Sequence, residues 1–492
     1  MSKIIALSTI VCYYVNIIIL LKGGTLMSDK SQTKFGKALG LKPDTSIKTE
    51  VIAGLTTFFA MCYIIFVNPD FLSGKNPASP IFNAAYIGTI IAAVIGTLLY
   101  AFLAKKPFAQ ASGMGLNAFF MVSFMFAAGD PAANYGAGLV IILISGLVFL
   151  LLSVTGLRSY IAKSLPDCLK KAIPAGIGLF IAFIGLQGAG ISVDGATLVC
   201  LPDLREWAVA GPVLAAFLGL ISIVIFNKVG AGWMKKASIV LGILVSTVLY
   251  YLFTWTAPSF EIGQIGQSFK DFGEYGFSVF KPESWSIAFD GVTFGSIFSV
   301  IMLIVTFCLV DMFDTIGTLY GTCAQANMLD ENGDPQDIEK CMMCDSIATA
   351  AGAMVGVSTV TTFVESASGV AEGGRTGLTS LVVAALFAVC LVLSPIAGII
   401  PGVATAPALI YVGLLMLKNF KSVDMDDLSS ALPAFIALII MPLTYSISNG
   451  IALGAISYVL IRLFTGKYSK KDIVVTVIAI LFVLRYVLVP AM

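Results

Sequence analysis

Asp311 and Asp314 lie three residues apart in the apolar run IFSVIMLIVTFCLVDMFDTIGTLYG, residues 297–321. The run is centred near Leu309, so the helical rise places Asp311 only ~3 Å beyond its middle. A three-residue spacing puts both carboxylates on one helix face. A lone carboxylate at the centre of a membrane-crossing helix costs about 2.5–3.5 kcal/mol. Two on one face therefore imply a partner or a cavity. Neighbouring carboxylates at low dielectric also tend to hold a proton between them, which is the chemistry of proton uptake and release near neutral pH. The competing reading is a buried pair neutralised by a basic residue elsewhere. The chain has no histidine, so a proton relay falls to carboxylates.

Two further polar residues stand in interrupted segments. In KPFAQASGMGLNAFFMVSFMF, 106–126, Pro107, Gly113 and Gly115 disfavour helix before about residue 114, and Asn117-Ala118-Phe119-Phe120 opens an apolar helix. In GVSTVTTFVESASGVAEGGRTG, 356–377, the stretch Ser358–Phe363 is β-branched and extended in preference. Glu365 follows, then a small-residue helix ending near Gly373-Gly374. Irregular backbone at membrane depth is tolerated only inside protein or beside a water-filled cavity. Two such breaks at matching positions point to a binding site, with the free amides at each half-helix start available to a polar ligand. A carboxylate at 365 can accept two ring N–H donors of a flat heterocycle, and when protonated it can donate to a ring nitrogen or carbonyl. Asn117 offers both a donor and an acceptor. This set suits a neutral planar guest better than an anion, because no Arg or Lys follows in these segments before Arg375. The competing readings are helix packing for the glycines, an interhelical hydrogen bond for Asn117 and a cap for Glu365.

The elements that must hold these residues are membrane spans. Of 492 residues, 58% are hydrophobic and 12% charged, and the mean hydropathy is +0.96. Soluble domains carry about 25% charge, so this chain cannot coat a soluble globule. Apolar segments occur near 51–67, 84–104, 135–155, 172–187, 208–226 and 237–255. They resume near 297–321, 346–357, 378–400, 405–417, 432–447, 450–464 and 472–490. With the two short broken ones the total is roughly 13 to 15 elements. The last segment strains the count and could be interfacial.

The polar interval 256–290 carries Glu261, Asp271, Glu274, Glu283 and Asp290 and divides the chain into similar halves. Lys105, Lys106, Arg158, Lys163, Lys170, Lys171, Lys228, Lys235 and Lys236 mark the cytoplasmic side by the positive-inside rule. Lys418, Lys421, Arg462, Lys467, Lys470 and Lys471 then fall inside as well, and the interval 256–290 falls outside. Seven elements in the first half reverse the entry of the second, giving an inverted repeat. The divisions are 1–50, an N-terminal extension and leader; 51–255, the first repeat; 256–290, an extracellular loop; and 291–492, the second repeat. Residues 1–26 read as an extension upstream of the leader that begins at Met27.

Other candidates are weaker. The net charge of +1 gives no sign of nucleic-acid binding. The 9 cysteines lie mostly in apolar runs and read as small buried hydrophobes. Cys341 and Cys344 have CxxC spacing without a second pair or a histidine, so they read as packing and no metal is expected. Asp345 beside them has no assigned role. Gln187 is a candidate to face the cavity. Glu372 and Arg375 read as a cytoplasmic pair. With no histidine there is no Ser–His or Cys–His pair, so an enzyme is not expected.

The motifs GMGLNAFF (113–120), DMFDTIGTL (311–319), ESASGVAEGGRTG (365–377), GIGLFIAFIGLQGAGI (176–191) and MPLTYSISNGIALG (441–454) together resemble azaguanine-like hypoxanthine/guanine permeases. These belong to the nucleobase–cation symporter family, within the xanthine/uracil permease superfamily. The resemblance runs from about Lys48 to about Leu488. It implies an all-α polytopic fold of about fourteen spans in two inverted seven-helix repeats. Core and gate domains and short extended strands at the midplane come with it. It implies proton-coupled uptake of purine nucleobases, hypoxanthine and guanine or else adenine, with protons as coupling ion and no other cofactor. It also implies substrate contacts from the half-helices and the eighth helix.

On this sequence the substrate-binding set is Asn117, Asp311, Glu365 and the adjoining Ser366. The proton-coupling set is Asp311, Asp314 and Glu365. Uracil and xanthine branches often carry a histidine on the eighth helix, and its absence here favours purines. The alternatives are a uracil/xanthine-type symporter or an anion carrier of the same fold. The expected setting is a bacterial inner membrane, with the lipid bilayer as partner. Oligomeric state is open, a homodimer included.

Overall fold

The computed structural model of the chain describes residues 33–127, 129–155, 166–195, 198–257, 264–289, 294–326, 328–331, 335–393 and 399–488. The expectations for residues 1–26, Arg158, Lys163, Glu261 and Asp290 lie outside the described residues.

Among the described residues, eight helices are long and apolar enough to cross a membrane. They are Ile47–Leu72, Pro80–Ala104, Pro131–Val154, Asp167–Gly188, Trp207–Lys228, Ile297–Tyr320, Gly402–Ser422 and Ile447–Phe464. Shorter apolar helices, including Ser238–Thr254, Leu428–Leu443 and Ile473–Leu484, lie among them. Helix starts follow the local sequence. Ser79-Pro80 and Asp130-Pro131 each pair a capping side chain, which accepts an amide of the first turn, with a proline that has no amide to lose. Glu50 is buried and performs the same task at long range. Its carboxylate accepts the Arg375 amide at 3.0 Å and the Thr379 hydroxyl at 2.5 Å, fixing the start of the Gly377–Val389 helix.

The first span is broken. Ile47–Met61 ends at Cys62, Ile64–Leu72 begins after Tyr63, and the turn between is tightened by Ile65 N–H to Cys62 O and Phe66 N–H to Tyr63 O bonds. This sets Tyr63 at a kink in mid-span rather than on a regular helix face.

The helices pack into two groups. One contains Ile47–Leu72, Pro80–Leu99, Pro131–Val154, Phe294–Ala326, Ile338–Met354 and Gly377–Val389, with both broken segments among them. The other contains Asp167–Gly188, Trp207–Lys228, Ser238–Thr254, Gly402–Leu417, Leu428–Leu443 and Ile447–Phe464. Packing within each group is much denser than packing between them. The Trp207–Lys228 helix is apolar all round and buries only 28% of its most apolar window, as expected for a helix facing lipid. The last helix, Ile473–Leu488, packs on Ile447–Phe464.

Candidate substrate-binding and proton-coupling site

Both broken segments run strand, then half-helix: Gln110–Ser112 into Met114–Phe120, and Val360–Thr362 into Ser366–Ala371. The two strands pair antiparallel, with Gln110 opposite Thr362, Ala111 opposite Thr361 and Ser112 opposite Val360. Further bonds from Gly113 N–H to Thr359 O and from Phe363 N–H to Ala109 O, both 3.0 Å, extend the ladder. Backbone that hydrocarbon could not satisfy is thus satisfied by the other break. β-Branched residues at 359–362 favour the strand. Gly113 is required by the crossing, since a Cβ there would lie 2.4 Å from Thr361 Cγ2. Gly115 lets the first half-helix press on the second helix group, where a Cβ would lie 2.3 Å from Ile177 Cγ2.

Beside this crossing is a cavity of about 240 Å³. One wall is Tyr63, Gly113, Gly115, Asp314, Thr361 and Glu365, and the other is Pro174, Val412, Met416 and Lys418. It therefore lies between the two helix groups. Small-molecule pockets commonly measure 300–1,000 Å³, so this one suits a compact guest. Glu365 is the N-cap residue of its half-helix, yet its side chain makes no capping bond. Its Oε1 instead accepts the Tyr63 hydroxyl at 2.7 Å. Asp314 Oδ2 accepts the Thr361 hydroxyl at 3.3 Å. Two carboxylates thus face one cavity, each with one hydroxyl partner among the described residues.

Asp311, Asn117 and Ser366 lie behind that wall and are not among its lining residues. Asp311 is buried; Oδ2 accepts the Thr349 hydroxyl at 2.7 Å, and Oδ1 has no hydrogen-bond partner among the described residues. The Thr349 oxygen also accepts the Val360 amide and lies 3.1 Å from both Val360 N and Val360 O, so Thr349 joins Asp311 to the strand that leads to Glu365. The Asn117 Oδ1 accepts the Ser112 hydroxyl at 2.9 Å and a short bond from the Ser358 hydroxyl, joining the two breaks, while its Nδ2 has no partner among the described residues. The Ser366 hydroxyl accepts the Ala109 amide at 3.0 Å and clamps one break to the other.

Several residues here had no role in the site assigned from sequence. Tyr63 and Thr361 supply the hydroxyls on the cavity carboxylates. Asp345, fully buried, accepts Gln110 Nε2 at 2.8 Å and the Thr315 hydroxyl at 2.7 Å, so a fourth carboxylate, on the Ile338–Met354 helix, adjoins the strand crossing. Lys418, read only as a cytoplasmic marker, lines the cavity. A polar residue in an apolar run was the available signal for Asp345. Tyr63 gave none, because a tyrosine in a span is unremarkable until its partner is known.

Other expectations resolve differently. Glu372 pairs with Lys236 at 3.0 Å, while Arg375 donates to the Val370 and Gly374 carbonyls. The expected Glu372–Arg375 pair is thus replaced by two separate interactions, because the turn at Gly373 aims the arginine back along its own half-helix. The Gln187 Oε1 accepts the Tyr445 hydroxyl, and Gln187 is not among the cavity residues. Cys341 and Cys344 are buried free thiols. Among the described residues no cluster of three or more His, Cys, Asp or Glu could hold a metal.

Residues 48–453 match the model of the Permease family. The chain belongs to that family. It is 41% identical over 449 residues to a putative permease of Methanocaldococcus jannaschii, covering 91% of this chain and 96% of that protein. It is 40% identical to a guanine/hypoxanthine permease of Bacillus subtilis, covering 90% and 97%. It is 36% identical to an adenine permease of Escherichia coli, covering 91% and 94%. The transmembrane domain of a cyanobacterial bicarbonate transporter shares the fold, with a TM-score of 0.59 at 15% identity over 82% of this chain and 97% of that one. The permease is thus a multi-pass membrane protein and a transporter rather than an enzyme, as the sequence resemblance implied.

Proposed function

We propose that this permease takes up purine nucleobases, hypoxanthine and guanine or else adenine, together with protons across a bacterial inner membrane. The observation that carries the proposal is the compact cavity at the strand crossing, faced by Glu365 and Asp314, each with one hydroxyl partner. A carboxylate with one bonded oxygen keeps acceptor capacity for ring N–H groups, and a nucleobase edge presents such groups side by side. The relatives named as guanine/hypoxanthine and adenine permeases support the purine reading.

In this scheme the chain folds as fourteen spans in two inverted repeats. The helix group holding both breaks is the core, and the other group is the gate. Glu365 holds the base, and Asp314 exchanges the coupling proton. Asp311 and Asn117 support the crossing from behind and meet substrate when the core shifts, with Ser366 fixing the break. Rocking of core against gate would carry the loaded site from one face to the other. No cofactor beyond protons is required. Uptake of radiolabelled hypoxanthine by cells lacking purine transport should depend on this chain and collapse with a protonophore. Uptake indifferent to the protonophore would remove proton coupling, and competition by uracil alone would remove the purine assignment.

Lys418 at the cavity favours one rival, an anion carrier. The two readings part at Glu365→Gln, which should raise anion flux in an anion carrier and abolish nucleobase uptake in the proposed symporter.

A further inference from the structure

The geometry points to an extracellular latch in which the Asp70–Lys75 ion pair of the core holds shut the outer ends of two gate helices, Asp167–Gly188 and Gly402–Leu417. This inference rests on the alternating movement of core and gate in the proposed function, but not on the identity of the substrate.

Asp70 is buried near the end of the first span, and Lys75 Nζ lies 2.7 Å from its Oδ2. Gly74 and Lys75 have φ of +67° and +65°. Left-handed backbone is natural for glycine but unfavourable for lysine, and here it folds Lys75 back over the helix end. The Lys75 amide bonds Asp70 O at 2.8 Å, and its ammonium lies 4.7 Å from the centre of the Phe71 ring. A strained residue held by three separate contacts invites a functional explanation.

Both charges face the gate. A Cβ built on Gly402 would lie 3.5 Å from Asp70 Oδ1, and one on Gly188 would lie 3.8 Å from Lys75 Nζ. Gly402 is the first residue of its helix and Gly188 the last of its own. The carboxylate therefore meets a helix N-terminus and the ammonium meets a helix C-terminus. Each charge is opposite in sign to the macrodipole end it meets, the favourable arrangement. Substitution of either glycine would intrude on this contact.

The position is external. Gly402–Leu417 runs from the ion pair at Gly402 to the cavity residues Met416 and Lys418 at its basic end, a separation of about 21 Å at the helical rise. Pro174 lines the cavity and Gly188 touches the latch on the other gate helix. The ion pair thus closes one side of the gate while the cavity's lining reaches the cytoplasmic end. Opening the outside requires the pair to leave both helix ends.

The test uses the full chain with Cys200→Ser, which removes the exposed thiol among the described residues, with Cys12→Ser, and with Val412→Cys in the cavity wall as reporter. A membrane-impermeant maleimide is applied to right-side-out and to inside-out vesicles. Asp70→Asn and Lys75→Gln should each raise labelling from outside by roughly ten-fold, the effect of about 1.4 kcal/mol, and lower labelling from inside. Lys75→Arg, which keeps the charge, should behave as the parent. Equal outside labelling in all four proteins would overturn the latch. So would a rise on both faces, which indicates loosened packing rather than a shifted gate. No nucleobase enters the measurement, so failure of the purine assignment would leave this result standing.

Discussion

The Tyr63 hydroxyl donates to Glu365 Oε1 at 2.7 Å, across 302 positions of sequence. Tyr63 sits in the kink of the first span, and Glu365 opens the second half-helix. The bond occupies one carboxylate oxygen and orients the other. The kink of one helix and the break of another are therefore parts of one device, and neither accounts for the site alone.

Tyr63→Phe keeps the ring and deletes only that donor. A hydrogen bond to a charged group contributes about 1.5–3 kcal/mol, and the lower end of that range corresponds to about a ten-fold change. Uptake at subsaturating nucleobase should fall by about ten-fold, chiefly through KM, with membrane abundance unchanged. Concentration-dependent uptake by the variant checks this, and parental KM would show that the bond does not position the carboxylate.

The two cavity carboxylates should separate by assay. Glu365→Gln replaces an acceptor with a group that donates from one side, which opposes a ring N–H. Both binding and uptake should be lost. Asp314→Asn should spare binding and nucleobase exchange across energised or de-energised membranes while abolishing accumulation against a gradient. Counterflow in vesicles measures exchange without a proton gradient. Loss of counterflow in Asp314→Asn equal to that in Glu365→Gln would merge their roles.

The composition made the membrane assignment legible, and so did the breaks. Proline and glycine at 107, 113 and 115 and the β-branched run at 359–362 carry local rules that need no tertiary context. The observed half-helix starts, Met114 and Ser366, follow directly from them. Carboxylates in apolar runs were visible for the same reason, since burying them costs free energy. What sequence could not supply was which polar atoms face the cavity and which face the crossing. Asp311 and Asp314 share one helix face, yet only Asp314 lines the cavity, because a difference of three residues rotates a helix by about 60°. Hydropathy also ended the first span near 67, whereas the helix continues to Leu72 through Asn68 and Asp70. The Asn68 Nδ2 donates to the Thr89 hydroxyl and Asp70 pairs with Lys75, partners that no window average detects.

Small residues in the second half-helix carry a packing prediction. A Cβ on Gly369 would lie 2.1 Å from the Thr57 hydroxyl and 2.6 Å from the Ala53 carbonyl oxygen of the first span. The carbonyl is backbone and cannot turn away. Overpacking of this kind costs about 1–3 kcal/mol. Gly369→Ala should lower the melting temperature of the purified protein and reduce uptake through a displaced Glu365. Gly266→Ala, whose Cβ would meet nothing within 4 Å, is the control and should change neither.

Asp337 supplies a pH prediction outside the spans. Lys340, with Nζ at 2.8 Å, and then Lys106, at 3.1 Å, hold its carboxyl below the ordinary carboxylate range. A lowered folded-state value means that the interaction stabilises the protein above the unfolded value. That contribution is lost as pH falls through the folded one. Lys106 is buried, so Asp337→Asn removes the partner of a desolvated ammonium. Because Asp337 is 41% exposed, screening keeps the effect modest. At neutral pH the variant should melt below the parent. On acidification below the usual carboxylate value of about 3.9 the parent's Asp337 protonates, and the two melting curves should converge. Thermal unfolding followed across this range provides the check. A gap that persists or widens on acidification would place the origin of the effect in something other than the carboxylate charge.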